Sequence, residues 1–144
     1  MKTPFYMLLY KTFHAQKNVV RPQTAAVGLS PGQPKVLAYL MRNEMYLQKE
    51  LAQACEISPA TMSKILDNME QKGFVLRSAA PGHRRAAAIT ITERGKDVYQ
   101  RWVENCQNQV EKKALKGFSK EEQRALRQSL CRIYFNLTGN EIDE

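Results

Sequence analysis

Apolar residues recur along this chain at two periods, and the switch between them outlines the fold. Over residues 3–18, Phe5, Leu9 and Phe13 share one i, i+4 stripe, and Tyr6, Tyr10 and His14 share a second. A helix apolar on two faces is expected between two neighbours. Residues 19–29 read as a connection, with Pro22 and Gly28 as breakers. Ser30-Pro31-Gly32-Gln33 then has the form of a helix start, with Ser30 as cap and Gln33 completing a capping box. Pro34 lacks an early backbone donor and shifts that start onward, while Val36, Leu37 and Leu40 supply the apolar face. Two short helices follow, about 48–55 and 59–72, around the turn Glu56-Ile57-Ser58. Leu51 and Cys55 face inward in the first. In the second, Met62, Ile65, Leu66 and Met69 form the i, i+3, i+4, i+7 stripe between the Ser58 cap and a Gly73 stop.

The period then drops to two. Residues 74–79 and about 86–92 read as strands, with Ile89 and Ile91 on one face and Thr90 and Thr92 on the other. Pro81-Gly82 turns the chain, and the hairpin tip is His83-Arg84-Arg85. The helical period returns over about 93–116, capped by Thr92, stopped at Gly117 and marked by Val98, Trp102, Cys106, Val110 and Leu115. A last helix runs to about 137, capped by Ser119 and Glu122, with Leu126, Leu130, Ile133 and Leu137 in line. The expected fold is mainly α with a small β-hairpin wing.

Composition changes the picture in three ways. At 144 residues the chain is one domain by length, and 43% hydrophobic with 25% charged residues is ordinary for a globular protein. No apolar run reaches the roughly 20 residues of a membrane span, and Lys11 and His14 interrupt the apolar N-terminus, which reads as mature and cytoplasmic. Cys55, Cys106 and Cys131 are odd in number and widely spaced, as expected for reduced thiols. With only two histidines and no ligand spacing, no metal or other cofactor is expected. No nucleophile triad or glycine-rich phosphate loop points to an enzyme.

Charge narrows the partner. There are 22 basic and 14 acidic side chains, a formal +8, and the first acid is Glu44, after six lysines and arginines. An excess of positive charge suits a polyanion, whose condensed counterions are released on binding.

A short helix, a tight turn and a capped second helix form a helix-turn-helix, whose second helix fits the major groove of B-DNA. With the apolar stripe buried, Ala60, Thr61, Ser63, Lys64, Asp67 and Asn68 face outward. Thr61 and Ser63 can bond a base or a phosphate, and Lys64 a guanine or a phosphate. Gln48 and Ser58, at the starts of the two helices, join the candidate DNA contacts. The hairpin behind the second helix reads as a wing. Its arginines Arg84 and Arg85, with His83, suit the narrow, electronegative minor groove, one arginine bracing the wing and the other reaching DNA. Residues 58–95 carry six bases against three acids.

These motifs resemble the multiple-antibiotic-resistance-regulator (MarR) family of bacterial winged-helix repressors over nearly the whole chain. The family's opening appears as Leu29-Ser30, Gln33 and Val36-Leu37, its helix-turn-helix as residues 47–75, and its wing signature as His83-Arg84-Arg85 followed by Ile89-Thr90-Ile91-Thr92-Glu93-Arg94-Gly95. Two positions depart from the pattern. His83 replaces the wing aspartate, so either Asp67 substitutes as the arginine brace or the wing is looser. Pro34 replaces an aromatic residue.

The resemblance implies one domain over 1–144, with the winged helix-turn-helix over about 30–95 and dimerisation helices over about 3–20 and 96–137. It implies a homodimer on a pseudo-palindromic double-stranded operator, and residues 97–137 carry more apolar stripe than one small winged domain needs. It further implies a small phenolic or lipophilic effector, with Tyr6, Tyr10, His14 and Tyr39 as candidate ligand residues. Two alternatives stay open: a cysteine-based redox-responsive regulator, and a winged-helix module that binds protein or RNA.

Overall fold

The computed structural model describes residues 1–82 and 85–142. They divide into two compact units, residues 1–110 and residues 111–144. The first unit opens with α1, Phe5–Ala26, which runs straight through Pro22. The expected end near residue 18 is therefore corrected: the carbonyl that Pro22 leaves unpaired belongs to the exposed Asn18, where water can satisfy it. α2, Gln33–Leu40, starts later than Ser30. Gly32 caps it with φ +86°, and Pro34 sits in the first turn, where a missing N–H costs no helical bond. Half of the predicted capping box survives, the Ser30 N–H donating to Gln33 Oε1 at 3.0 Å.

The helix-turn-helix is α3, Gln48–Ala54, and α4, Pro59–Gln71. Between them Glu56 takes φ +53°, a conformation glycine usually fills, and the Ile57 N–H closes the turn on the Ala52 carbonyl at 3.0 Å. Ser58 caps α4, its Oγ accepting from the Thr61 N–H at 3.2 Å. β2, Val75–Ala79, and β3, Ala87–Ile91, form the hairpin, with Val75 opposite Ile91 and Ala79 opposite Ala87. A strand not anticipated, β1, Tyr46–Leu47, pairs with the other edge of β3, so the sheet has three antiparallel strands in the order β1-β3-β2. Two residues are too few to show a period, which is why the pattern missed β1.

The core lies between α2, α3, α4 and the sheet. Leu37, Leu51, Met62, Leu66, Ile89 and Val98 are fully buried in it. α5, Glu93–Trp102, is locked onto this core at its first turn. Thr92 Oγ1 donates to the Gly73 carbonyl at 2.6 Å and accepts from the Gly95 N–H at 3.0 Å. Gly95 is required there, because a Cβ would run into the Phe74 carbonyl. The single long helix expected over 93–116 is instead interrupted by a wide π turn, Val103–Gln107, before α6, Asn108–Ala114. That turn faces α1: Trp102 Nε1 donates to Thr24 Oγ1 at 2.9 Å, and Cys106 Sγ donates to the Val20 carbonyl at 3.7 Å. Keeping both contacts offsets the loss of regular helical bonding.

The second unit holds α7, Lys120–Thr138, with the predicted Ser119–Glu122 capping box formed in both directions at 3.1 Å. No residue of α7 is buried.

Candidate nucleic-acid interface

The first turn of α4 is exposed because its apolar stripe is consumed by the core. Met62, Leu66 and Met69 have no exposure, which forces Ala60, Thr61 and Lys64 to the outside, with Ser63 half-buried at the margin. Ser58 and Thr61 are exposed but partly committed to each other, since Ser58 Oγ also donates to Thr61 Oγ1 at 2.9 Å. Their lone pairs remain for a phosphate or base, and the helix N-terminus adds its own partial positive charge. Gln48 begins α3 and is half-buried.

Asn68 does not join this row, which corrects its place among the outward residues. Its Oδ1 accepts from Gln33 Nε2 at 2.7 Å, so the side chain is held toward the α1–α2 loop. A half-buried amide next to a buried one is better paired than solvated.

The hairpin meets α4 through an ion pair that the sequence reading did not name. Arg77 Nη2 donates to Asp67 Oδ1 at 2.8 Å, and Arg77 Nε lies 4.0 Å from Glu70 Oε2. Asp67 thus does brace the hairpin, through Arg77 of β2. Asp67 lies six residues before Gly73 and Arg77 four after it, so no spacing in the sequence marks the pair. His83 and Arg84 lie outside the described residues. Arg85 is exposed beyond the Pro81-Gly82 turn.

A cleft of about 630 Å³ opens in the same unit, between α1, the α1–α2 loop, α2 and α5. Phe13, Val20, Tyr99 and Trp102 make it apolar, while Lys17, Arg21 and Lys35 surround it with positive charge. Burial pushes the Tyr99 phenol up, with Arg42 pulling it part of the way back, so Tyr99 is a neutral donor at physiological pH. None of Tyr6, Tyr10, His14 and Tyr39 lines this cleft. Tyr6 and Tyr10 are exposed on α1, Tyr10 stacks on His14 with ring centroids 5.7 Å apart, and Tyr39 packs edge-on against Tyr46 beneath the Arg42 guanidinium. The face of α1 that lines the cleft carries Phe13, Lys17, Val20 and Thr24 instead. Phe13 and Lys17 lie within the helix expected over 3–18, whereas Val20 and Thr24 fall in the segment 19–29 whose pattern reads as a connection.

The three cysteines differ in their surroundings. Burial raises Cys55 from 9.0 to about 11, Cys106 is buried, and Cys131 is half-buried on α7. Among the described residues, no group of His, Cys, Asp and Glu could hold a metal ion, and no helix is long and apolar enough to cross a membrane.

Residues 27–86 match the family model described as MarR family. The HTH-type transcriptional regulator PecS of Dickeya dadantii is 33% identical over 91 residues, covering 63% of this chain and 54% of PecS. YwhA of Bacillus subtilis, an uncharacterised HTH-type transcriptional regulator, is 28% identical over 76 residues, 53% of this chain and 55% of its own length. The chain therefore spans about half the length of these curated relatives. Among solved structures, the transcriptional repressor CouR bound to a DNA duplex superposes with a TM-score of 0.84 at 23% identity, covering 91% of this chain and 92% of CouR. A mutant of Escherichia coli MarR complexed with operator DNA gives 0.82 at 17% identity, covering 90% and 93%. These two likenesses carry the fold. The chain thus has the winged helix-turn-helix fold, and its residues 27–86 are similar to the MarR family.

Proposed function

We infer that the protein is a sequence-specific regulator of transcription that binds double-stranded DNA, acting in the cytoplasm as a homodimeric, ligand-responsive repressor on a pseudo-palindromic operator. The observation that carries this reading is the pairing of an exposed, Ser58-capped α4 start (Thr61 and Lys64) with a hairpin bearing Arg85 and braced to α4 by Arg77 and Asp67. The α4 start supplies groups for base edges and phosphates, and the brace holds the hairpin at a set angle beside it. PecS is named a transcriptional regulator and CouR a repressor bound to DNA, in line with this assignment.

The exposed apolar stripes of α1 and α7 support the homodimer, since a soluble chain seldom leaves Phe5, Leu9 and Phe13, or Leu126 and Leu130, facing water. The cleft supports control by a small lipophilic ligand, with apolar walls for a ring and three cations for an acidic group. The redox alternative finds no reactive thiol at Cys55, which stays protonated at neutral pH.

Selection of bound sites from random duplex DNA tests the reading. The expected product is a pair of inverted half-sites about one helical turn apart, with affinity falling steeply with salt. Arg85→Ala should weaken all selected sites alike and lower the salt slope. Lys64→Ala or Thr61→Ala should relax preference at one base pair by about 1–3 kcal/mol. No enrichment at low ionic strength, with binding to RNA or protein instead, overturns the assignment in favour of an interaction module.

A further inference from the structure

The α1–α2 loop has two faces with different neighbours. On one side Pro31 and Gly32 of the loop, with Lys35 of the first turn of α2, line the cleft. On the other side the loop and Gln33, the first residue of α2, lie directly on α4. A Cβ at Gly32 would stand 3.1 Å from Ile65 Cδ1, Gln33 Nε2 donates to Asn68 Oδ1 at 2.7 Å, and Lys72 Nζ donates to the Gly28 carbonyl at 3.1 Å. Gln33 is only 1% exposed, and both ends of its amide are used, because Oε1 accepts from the Ser30 N–H. Its orientation is therefore determined by the loop at one end and by α4 at the other. Displacing the loop by a fraction of an ångström must either stretch this buried pair or carry α4 along.

We propose that the Gln33–Asn68 amide clasp, reinforced by Lys72 on Gly28, is the link that transmits the state of the cleft to the DNA-reading helix. Gln33 and Asn68 are positioning residues, acting on DNA only through the placement of α4. The proposal rests on the functional reading above, in which α4 contacts DNA. Coupling between two sites is reciprocal, so DNA on α4 must alter the cleft as much as a cleft ligand alters DNA binding. That reciprocity allows a test with no cleft ligand. Trp102 is the only tryptophan of the chain and lines the cleft, so its emission and its quenching by acrylamide report the cleft's state.

The full-length protein is titrated to saturation with the duplex selected above, and the Trp102 quenching constant is measured with and without DNA. The wild type should show a clear change, on the order of twofold. The double variant Gln33→Leu with Asn68→Leu, which replaces the clasp by an apolar contact, should still bind DNA while losing at least about half of that change. Asn68→Asp keeps an acceptor for Gln33 Nε2 and should retain it, a rescue that a merely structural role does not predict. If the double variant does not fold, Lys72→Gln decides, since Lys72 bonds the loop from the C-terminal end of α4 and its loss should shrink the response. A full wild-type response in the folded double variant, an unchanged response in Lys72→Gln, or a wild type that binds DNA with no Trp102 response overturns the clasp. A wild type that binds no duplex fails one step earlier, and removes the functional reading and the clasp together.

Discussion

In α4 the stripe Met62, Leu66 and Met69 has no solvent exposure, whereas in α7 a stripe of the same period leaves Leu126, Leu130 and Leu137 exposed, Leu130 to 47%. Both helices begin with a serine cap, and both follow the same hydrophobic spacing. The difference lies in what packs on the stripe: α4 is covered by α2, α3 and the sheet of its own unit, while no residue of α7 is buried. α1 shows both behaviours along its length. Its early turns expose Phe5, Leu9 and Phe13, while Thr24 near its end is buried beneath Trp102 and Cys106. Periodicity therefore reports that a helix has an apolar side, and the identity of its cover is a separate fact. The exposed stripes of α1 and α7 are the surfaces on which the proposed homodimer rests.

The largest effect expected from this contrast is on assembly. Leu130→Asp should leave helical content unchanged but convert the proposed dimer to monomer in sedimentation. It should lower affinity for a two-half-site duplex by about 10²- to 10⁴-fold, because the second half-site is no longer tethered. A dimer that survives this change breaks the comparison. In the covered helix, Leu66→Ala should cost about 2–5 kcal/mol in urea unfolding, by transfer and cavity terms, with no change of oligomeric state in the folded protein. Arg77→Ala should cost only about 1 kcal/mol of stability, since the pair with Asp67 is partly solvated. Its clearer signature should be a few-fold weaker DNA binding from a hairpin no longer held against α4, read by fluorescence anisotropy.

The smallest effect concerns Cys55 in the covered region. Its folded pKa, near 11, stands above the ordinary 9.0 because burial disfavours the thiolate. The unfolded chain therefore releases this proton first as pH rises. The stability associated with the buried thiol is fully present below pH 9 and is lost as pH climbs toward 11. Cys55→Ala should flatten that alkaline decline in a series of urea melts, and an identical slope in both proteins would place the titrating group elsewhere.

The local grammar of this protein was open to reading residue by residue. Ser58 and Ser119 cap the helices assigned to them, Gly73 ends α4, and the alternation around Ile89 marks a strand, because caps, stops and strand periods depend on a few neighbours in the chain. The exposed row of α4 followed equally, since burying Met62, Leu66 and Met69 leaves few choices for Thr61 and Lys64. What pattern missed depends on residues far apart. Pro22 is tolerated because Asn18 faces solvent, β1 exists because β3 offers it an edge, and the π turn exists because Trp102 and Cys106 must both meet α1. Asn68 turned inward for the same kind of reason: Gln33, 35 residues away, offers a donor at 2.7 Å that no helical wheel contains. Spacing along a chain dictates which side of an element is apolar or polar. Which partner each side meets is decided only when the elements pack, because close packing and the pairing of buried polar groups are properties of the assembled interior.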